Sequence, residues 1–364
     1  MGPDQPEIRR DVALSPYTTM ELGGAAEHLC LVTSRDQLRA ALAWAAERGE
    51  PVTCLGGGSN VLVPDAGLPG LTIVLRLRGI AYEAAPGRSG LVLVKAQAGE
   101  PFEGLVAATV GRELAGLECL SGIPGLVGAT PIQNVGAYGR EVSEVIHSID
   151  VFDRERNEFD TLGSDRCGFG YRDSRLKRDP HRFVVVAVTY ALTQGGAGLI
   201  RYPELAERLA CGSEATLANV RAAVLSLRRA KSMVIEGVSD ENRRSVGSFF
   251  VNPVISAERA EALVRQALVE GLVERETDVP CFGIGAGRCK LSAAWLIERA
   301  GFQRGLRRGA VGISSRHTLA LVHHGGGTTG ELLALAEVIR VGVRRRFGVE
   351  LQREPTLLGP GTGA

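Results

Sequence analysis

The stretch LSGIPGLVGATPIQNVGAYG, residues 120–139, decides how the rest of the chain is interpreted. It contains five glycines and two prolines but no charged residue. Glycine and proline at this density do not support a regular helix or a long strand. Polar side-chain atoms come only from Ser121, Thr130, Gln133, Asn134 and Tyr138. The pattern therefore predicts a surface on which backbone amides, rather than side chains, contact a ligand.

Earlier in the chain lies another glycine-rich loop, LGGGSN at residues 55–60, which we call the first glycine-rich loop. It continues the apolar run PVTCL at residues 51–55, which is typical of a strand. Successive glycine N–H groups can form a nest for an anion, and Ser59 and Asn60 add donors. A simple hairpin turn is the alternative for this loop taken alone. No long helix follows it directly, so it differs from the Rossmann dinucleotide fingerprint. Two such loops suit a ligand with two phosphates and a large ring, which makes a dinucleotide cofactor the physical expectation.

Composition places the chain among ordinary globular proteins, with 45% hydrophobic and 23% charged residues. Its 364 residues predict two or three domains. The formal net charge of +1 gives no reason to expect a nucleic acid or a charged membrane surface as a partner. No apolar run has the length of a transmembrane helix, so no membrane association is expected.

Cysteine usage and the first residues bear on the compartment. The seven cysteines are scattered, without a CxxC pair or the Cys/His spacing of a metal site, which predicts reduced thiols and no metal. Residues 1–11, MGPDQPEIRRD, lack the apolar segment of a signal peptide. We therefore expect a cytoplasmic protein.

Helical and strand patterns succeed one another irregularly, which predicts an α+β fold. Residues 34–49 are typical of a helix that Ser34 caps and Gly49 ends. Further predicted elements are helices at 212–231, 256–270, 291–300 and 329–347, and a closing strand at 347–354. The closing strand implies that the chain returns to an earlier sheet.

Two polar motifs add candidate catalytic groups. FGYRDS, residues 169–174, contains Arg172, which is either a surface charge or a fixed cation for an anionic group. GSFFVNP, residues 247–253, contains Ser248, which is either a turn serine or a hydroxyl that two phenylalanines shield from water. A hydrolase nucleophile is disfavoured, because there is no GxSxG elbow and no nearby histidine.

These motifs, together with KLSAAWLIE at residues 290–298, occur in the order found in the UDP-N-acetylenolpyruvoylglucosamine reductase family. The resemblance covers about Thr19 to Gly359. It implies an α+β fold with a two-lobed FAD-binding domain of the vanillyl-alcohol-oxidase/PCMH type and an α+β substrate-binding domain. The implied division is residues 1–80 for the first lobe, 81–225 with a return at 348–364 for the second lobe, and 226–347 for the substrate domain.

The resemblance also implies non-covalent FAD and NADPH as co-substrate. The pyrophosphate is expected against the first loop and the flavin beside the 120–139 stretch, with Arg228 contacting the flavin. The residues assigned to FAD are Gly56, Gly57, Gly58, Ser59, Asn60, Ser121, Gly122, Ile123, Pro124, Gly125, Gly128, Ala129, Gln133, Asn134, Gly136, Ala137, Tyr138, Tyr171 and Arg228.

The implied reaction reduces the enolpyruvyl ether of a UDP-sugar to UDP-N-acetylmuramate for peptidoglycan synthesis. Reduction of an enol ether needs a cation and an acid near its carboxylate and a proton donor for carbon. By motif position, Arg172 and Glu354 are the polarising pair and Ser248 is the proton donor, with Lys231 as one candidate to share its charge. The residues expected to bind the sugar nucleotide are Tyr202, Lys231, Asn252, Lys290 and His317.

Through Tyr202, the resemblance implies the subclass that has a tyrosine loop. One departure from the family pattern follows Glu354, where Pro355 and Thr356 replace the usual valine and arginine. Two alternatives remain: an FAD-dependent oxidase with the same binding fold, and a non-catalytic FAD-binding module. In each case we expect small-molecule ligands and a monomer.

We expect FAD to be held without a covalent bond, because no histidine or cysteine lies inside either glycine-rich loop. Acid precipitation of the purified protein should release all of its flavin into the supernatant. Yellow colour that stays with the precipitate would contradict this expectation.

Overall fold

The computed structural model describes residues 5–209, 215–235 and 239–359, and a four-stranded sheet forms its first lobe. The elements of this lobe are β1 (Ile8–Ala13), β2 (Ala25–Val32), α1 (Arg35–Arg48), β3 (Val52–Leu55), β4 (Val61–Leu62) and β5 (Leu68–Leu75). The sheet order is β1-β2-β5-β3, with β1 antiparallel to β2 and the other pairs parallel. The helix predicted at 34–49 is confirmed: Ser34 accepts a hydrogen bond from the Gln37 N–H, and Gly49 ends the helix at φ 67°.

An antiparallel sheet in the order β12-β11-β13-β7-β6 forms the second lobe. The elements are β6 (Ile80–Ala84), β7 (Leu91–Gln97), α2 (Phe102–Val110), β8 (Leu114–Ala115), β9 (Gly136–Ala137), β10 (Arg140–Glu141), β11 (Ile146–Asp153), β12 (Glu158–Gly163), α3 (Arg175–Arg178), β13 (Phe183–Gln194), α4 (Pro203–Leu209) and α5 (Leu217–Ala230). One hydrophobic core joins both lobes, since Leu38 of α1 belongs to the same cluster as Val94 and Val188.

The C-terminal domain contains two small antiparallel sheets, β14-β20-β19-β18 and β15-β17-β16. Its elements are β14 (Ser245–Ser248), β15 (Val254–Ser256), α6 (Ala257–Val269), β16 (Cys281–Gly283), β17 (Arg288–Leu291), α7 (Ala293–Arg299), β18 (Arg307–Arg308), β19 (Val311–Ile313), β20 (Ala320–His323) and α8 (Thr329–Phe347). The last strand of the chain, β21 (Thr356–Leu357), follows this domain and pairs with the first lobe. The three helices predicted in this region are therefore confirmed. The helix predicted at 212–231 is described from Leu217, and its residues 212–214 lie outside the described ranges.

The closing strand predicted at 347–354 is wrong. Residues 352–354 lie beside 249–251 of the C-terminal domain, where the Glu354 N–H donates to the Phe249 carbonyl. After Pro355 the chain changes partner, and β21 runs parallel to β4 of the first lobe rather than joining the second lobe. Pro355 lies at the change of partner, where neither set of hydrogen bonds requires an N–H from it.

The expected boundary between residues 225 and 226 would divide helix α5. This helix belongs to the second lobe, because Val220 and Val224 pack in one cluster with Cys119 and Leu205. A helix is not divided between two independently packed units, so we propose that the domain boundary follows α5. We also propose that the two lobes divide between β5 and β6, near residue 80.

Asp65 connects the first lobe to the start of α8. Its Oδ1 accepts a hydrogen bond from the Thr329 N–H at 2.7 Å, and its Oδ2 accepts one from the Gly330 N–H at 2.8 Å. The Thr329 hydroxyl donates to the Val63 carbonyl at 2.7 Å. The first N–H groups of a helix have no partner within it, so Asp65 stabilises α8 and its position together.

We expect Asp65→Ala to lower the free energy of unfolding by about 1–2 kcal/mol, because two helix N–H groups lose their acceptor. Asp65→Asn keeps one acceptor and should cost less. Urea denaturation followed by circular dichroism measures both, with Asp36→Ala in the exposed first turn of α1 as the control. A loss no larger than that of the control would show that the contact does not stabilise the fold.

Candidate active site

A groove lies where the two lobes meet the C-terminal domain, and most of the predicted site residues line it. Its open space, counted together with the solvent at its mouth, is about 1500 Å³. The predicted residues that line it are Gly56, Gly57, Gly58, Ser59, Asn60, Ile123, Pro124, Gly128, Ala129, Gln133, Gly136, Ala137, Arg172, Arg228, Ser248 and Glu354. An extended ligand therefore has room to contact all three units.

The first glycine-rich loop connects β3 to β4 and packs closely against other backbone. A Cβ on Gly57 would lie 2.8 Å from the Gly125 Cα, and one on Gly58 would lie 2.1 Å from the Tyr17 carbonyl oxygen. Gly58 also has a φ of +63°, which side-chain-bearing residues rarely adopt. Gly56 differs from both, because a Cβ there would meet no protein atom within 4 Å. Packing thus explains two of the three glycines in this loop, and Gly56 is the one of the three that leaves open space in the groove.

The second glycine-rich loop, residues 120–139, packs across the first. The Ser59 hydroxyl donates to the Pro124 carbonyl at 3.3 Å, and a Cβ on Gly128 would lie 2.7 Å from the Ala98 Cβ. The Gly122 N–H already donates to the Glu103 carboxylate. The interpretation that side chains are absent only to expose amides is therefore incomplete, because several glycines allow one loop to pack on another.

Six of the residues assigned to FAD are not among the described residues that line the groove: Ser121, Gly122, Gly125, Asn134, Tyr138 and Tyr171. Ser121 is fully buried and donates to the Glu118 carbonyl at 2.7 Å. Asn134 donates to Glu141 Oε2 and to the Gly170 carbonyl, and it accepts from the Ser143 N–H. These two side chains hold the loop in shape.

Arg172 and Glu354 come together from distant parts of the chain. Arg172 Nε donates to Glu354 Oε1 at 3.1 Å, and its Nη2 donates to the Gly136 carbonyl at 2.6 Å. Arg172 has a φ of +54°, a conformation that non-glycine residues adopt mainly where the surroundings enforce it. Burial raises the pKa of the Glu354 carboxyl above its usual value, and the Arg172 charge and the hydrogen bond from Gln133 oppose that rise.

Ser248 ends β14 and lines the same groove. The Glu354 N–H donates to the carbonyl of the next residue, Phe249, so backbone pairing fixes Glu354 near Ser248. The expectation that two phenylalanines shield Ser248 needs correction. Phe249 and Phe250 pack against each other in the core of the C-terminal domain and are absent from the described groove lining.

The residues assigned to the sugar nucleotide are likewise absent from the described groove lining and form contacts of their own. Lys231 Nζ binds both carboxylate oxygens of Glu204, at 2.8 and 3.0 Å. Tyr202 lies one residue before α4 and packs edge-on against Tyr138, with ring centroids 5.6 Å apart. The suggestion that Lys231 shares the charge of Ser248 is therefore not supported, because its partner is Glu204.

The remaining three residues lie on the C-terminal domain. Lys290 Nζ is 5.0 Å from the centre of the Tyr171 ring. Asn252 Oδ1 accepts the Ala293 N–H at the start of α7, so that side chain caps a helix. Burial, together with the charges of Lys231 and Arg304, lowers the pKa of His317 to about 4. Its ring is consequently neutral near pH 7, when it can both donate and accept a hydrogen bond.

Sequence reasoning missed Thr356 and the apolar wall of the groove. Thr356 lines the groove beside Glu354, and the wall includes Val184 and Val185 of β13. The only available signal for Thr356 was its position two residues after Glu354. The β13 valines resemble those of any buried strand, so the sequence offered no signal for them.

The groove fits FAD. Gly56 leaves space for a ligand against the backbone, and the buried Arg228 Nε, also at the groove, has no hydrogen-bond partner among the described residues. Residues 26–157 match a protein-family model described as an FAD binding domain. Residues 239–358 match the C-terminal domain of UDP-N-acetylenolpyruvoylglucosamine reductase. Fold, groove and these two matches define a flavoprotein with a separate C-terminal domain.

Whole-chain comparisons identify the family. A reductase of this name from Thermobifida fusca (strain YX) is 45% identical over 354 residues, which cover 96% of this chain and 98% of the relative. The one from Salinispora arenicola (strain CNS-205) is 46% identical, with 95% and 94% covered. The crystal structure of the Thermus caldophilus enzyme has a TM-score of 0.64 at 26% identity, covering 97% and 99%.

The chain belongs to the UDP-N-acetylenolpyruvoylglucosamine reductase family, and it is an oxidoreductase whose cofactor is FAD. The predicted resemblance, the α+β fold with an FAD-binding domain and a second domain, and the cofactor are therefore confirmed. In the described part of the chain, no helix has both the length and the apolar character to cross a membrane.

We expect Gly56→Ala to raise the dissociation constant of FAD about tenfold or more, because the added methyl group occupies groove space. Fold stability should change little, since that methyl group meets no protein atom within 4 Å. Fluorescence titration of the FAD-free protein measures the affinity, and urea denaturation measures the stability. Gly283→Ala, at an exposed site with equally open space, is the control. Unchanged FAD affinity would place the cofactor away from Gly56.

Proposed function

We propose that this chain reduces the enolpyruvyl ether of UDP-N-acetylglucosamine-enolpyruvate to UDP-N-acetylmuramate, with NADPH as the reductant, in peptidoglycan precursor synthesis. The observation that carries the proposal is the meeting of Arg172, Glu354 and Ser248 in the groove that fits FAD. Family membership over nearly the whole chain supports this reaction over the oxidase and binding-module alternatives.

We propose that Gly56–Asn60, Ile123–Pro124 and Gly128–Ala129 hold FAD through their backbone, and that Arg228 binds the flavin side of the cofactor. FAD held there would supply the hydride transfer that links NADPH to the substrate. The apolar wall that includes Val184 and Val185 supports this assignment, because it excludes water from the reacting face.

Arg172 and Glu354 act on the carboxylate of the enolpyruvyl group. When the methylene carbon gains a hydride, negative charge develops on the adjacent carbon and spreads into the carboxylate. The Arg172 guanidinium stabilises that charge, and its contact with the Gly136 carbonyl holds it in place. Burial raises the pKa of Glu354 and so favours its protonated form, which can donate a hydrogen bond to the developing enolate.

Ser248 completes the reaction by giving its hydroxyl proton to the adjacent carbon, and solvent then returns a proton to the serine oxygen. The product has gained one hydride at the methylene carbon and one proton at its neighbour, so the carbon–carbon double bond becomes single. The position of Ser248 in the groove beside the Glu354 backbone supports this role.

We propose that five residues at the mouth of the site bind the sugar and diphosphate: Tyr202, Lys231, Asn252, Lys290 and His317. The position of Tyr202 against Tyr138 supports a tyrosine loop that closes over the nucleotide. We further propose that the enzyme is a cytoplasmic monomer. The free thiols of Cys30, Cys54, Cys119, Cys167, Cys281 and Cys289 fit a reducing compartment.

We expect Ser248→Ala to separate the two half-reactions. Flavin reduction by NADPH moves no proton to carbon and should keep its rate, whereas flavin reoxidation by the enolpyruvyl substrate should slow ~10²–10⁴-fold. Ser248→Cys should recover part of the second rate, because a thiol is the stronger acid. Stopped-flow absorbance follows both steps, with Ser245→Ala in the same strand as the control. Equal slowing of both steps would show that Ser248 only packs.

A further inference from the structure

A chain of hydrogen bonds connects the first glycine-rich loop to Glu354. Asn60 Nδ2 donates to Gln133 Oε1 at 2.6 Å, and Gln133 Nε2 donates to Glu354 Oε1 at 2.9 Å. Arg172 Nε donates to the same Glu354 oxygen at 3.1 Å. These three donors come from the first loop, the second loop and the FGYRDS motif. The side chains assigned by sequence to FAD thus contact one another and the proposed acid.

The direction of this chain has a chemical consequence. A glutamine amide has one acceptor end and one donor end, and Asn60 occupies the acceptor end of Gln133. Only the NH₂ end then faces Glu354, and it requires an acceptor oxygen there. Glu354 Oε1 accepts from both Gln133 and Arg172, so the proton of the neutral carboxyl resides on Oε2.

We propose that Gln133, oriented by Asn60, is the positioning residue that fixes which oxygen of Glu354 carries the acid proton. The inference rests on the proposed function, since it concerns the same acid. It gives the first loop a second role beyond cofactor binding, because a side chain of that loop sets the geometry of the acid through Gln133. Asn60 and Gln133 touch neither reacting carbon in this role; they act through Glu354.

The groups that face Glu354 determine the expected direction of a pH effect. Arg172 and Lys177 bring positive charge, Gln133 donates a hydrogen bond, and all three oppose the rise in the Glu354 pKa that burial causes. Tyr171 lies nearby, and burial raises the pKa of its hydroxyl, so it stays neutral. Without the Gln133 N–H, one of the interactions that lower the Glu354 pKa is lost, while burial still raises it. The pKa of Glu354 then rises further, and its acid form persists to higher pH.

The test uses Gln133→Met, which keeps the length of the side chain and removes both polar ends. The basic limb of the kcat profile should move up by ~1 pH unit, the effect of one hydrogen bond to a charged group. Asn60→Asp should move it at least as far, because the new carboxylate accepts the Gln133 NH₂ and turns the Gln133 oxygen toward Glu354. Asn157→Asp makes the same chemical change in an exposed turn at φ +53° and is the control.

A double variant distinguishes two ways in which residue 60 can act on Glu354. One is the proposed relay, in which Asn60 acts through the Gln133 amide, and the other is direct charge repulsion between Glu354 and the carboxylate that Asn60→Asp introduces. In the Gln133→Met background, Asn60→Asp should shift the basic limb of the kcat profile much less than it does alone, because its effect passes through the Gln133 amide. A full additional shift would overturn the relay. The relay would also be overturned if the basic limbs of Gln133→Met and Asn60→Asp lay at the same pH as that of the Asn157→Asp control.

A readout without turnover keeps the proposal independent of the reaction. Infrared difference spectra recorded against pH report the Glu354 carboxyl band, which Glu354→Gln removes, in both FAD-free and FAD-bound protein. The band should titrate at higher pH in Gln133→Met than in the unsubstituted enzyme. If the unsubstituted enzyme fails to turn over the enolpyruvyl substrate, the proposed function is wrong. The titration of the Glu354 carboxyl band then still shows whether Gln133 acts on Glu354. An unshifted band in Gln133→Met would refute the relay.

Discussion

Close contact between two glycine-rich loops is the constraint on which the rest of the site depends. Gly57 and Gly125 meet backbone to backbone, at a distance that leaves no room for a methyl group. This contact brings the first and second lobes together over a shared core. The groove is the space that remains beside the crossing, so its shape depends on how closely the loops can pack.

The segment after α8 completes that groove. It first pairs with residues 249–251 of the C-terminal domain and then, beyond Pro355, with β4 of the first lobe. Leu351 packs in the core of the C-terminal domain, and Leu358 packs in the core of the first lobe. Glu354 lies between these two anchors. Its side chain is 14% exposed, and its position is thus set by two units whose cores are separate.

Much of this architecture could be predicted from the sequence, because helix caps, apolar periodicity and glycine density are local signals. Ser34 and Gly49 mark the ends of α1 correctly, and the two glycine-rich loops do line the groove. Contacts between distant segments were less accessible. The sequence alone could not show that β21 pairs with β4, or that Lys231 binds Glu204. In the sequence Pro355 is only a departure from the family pattern, and the fold shows that the chain changes partner there.

The order of the groove residues along the chain has a consequence for synthesis. The first glycine-rich loop is made early, yet Glu354 and Thr356 follow every other described residue that lines the groove. Domains begin to pack while the ribosome is still elongating the chain. The lobes can therefore associate over their shared core while the acid is still missing. The groove becomes chemically complete only after residue 358 has been added, so partial translation products lack the acid however well their lobes are folded.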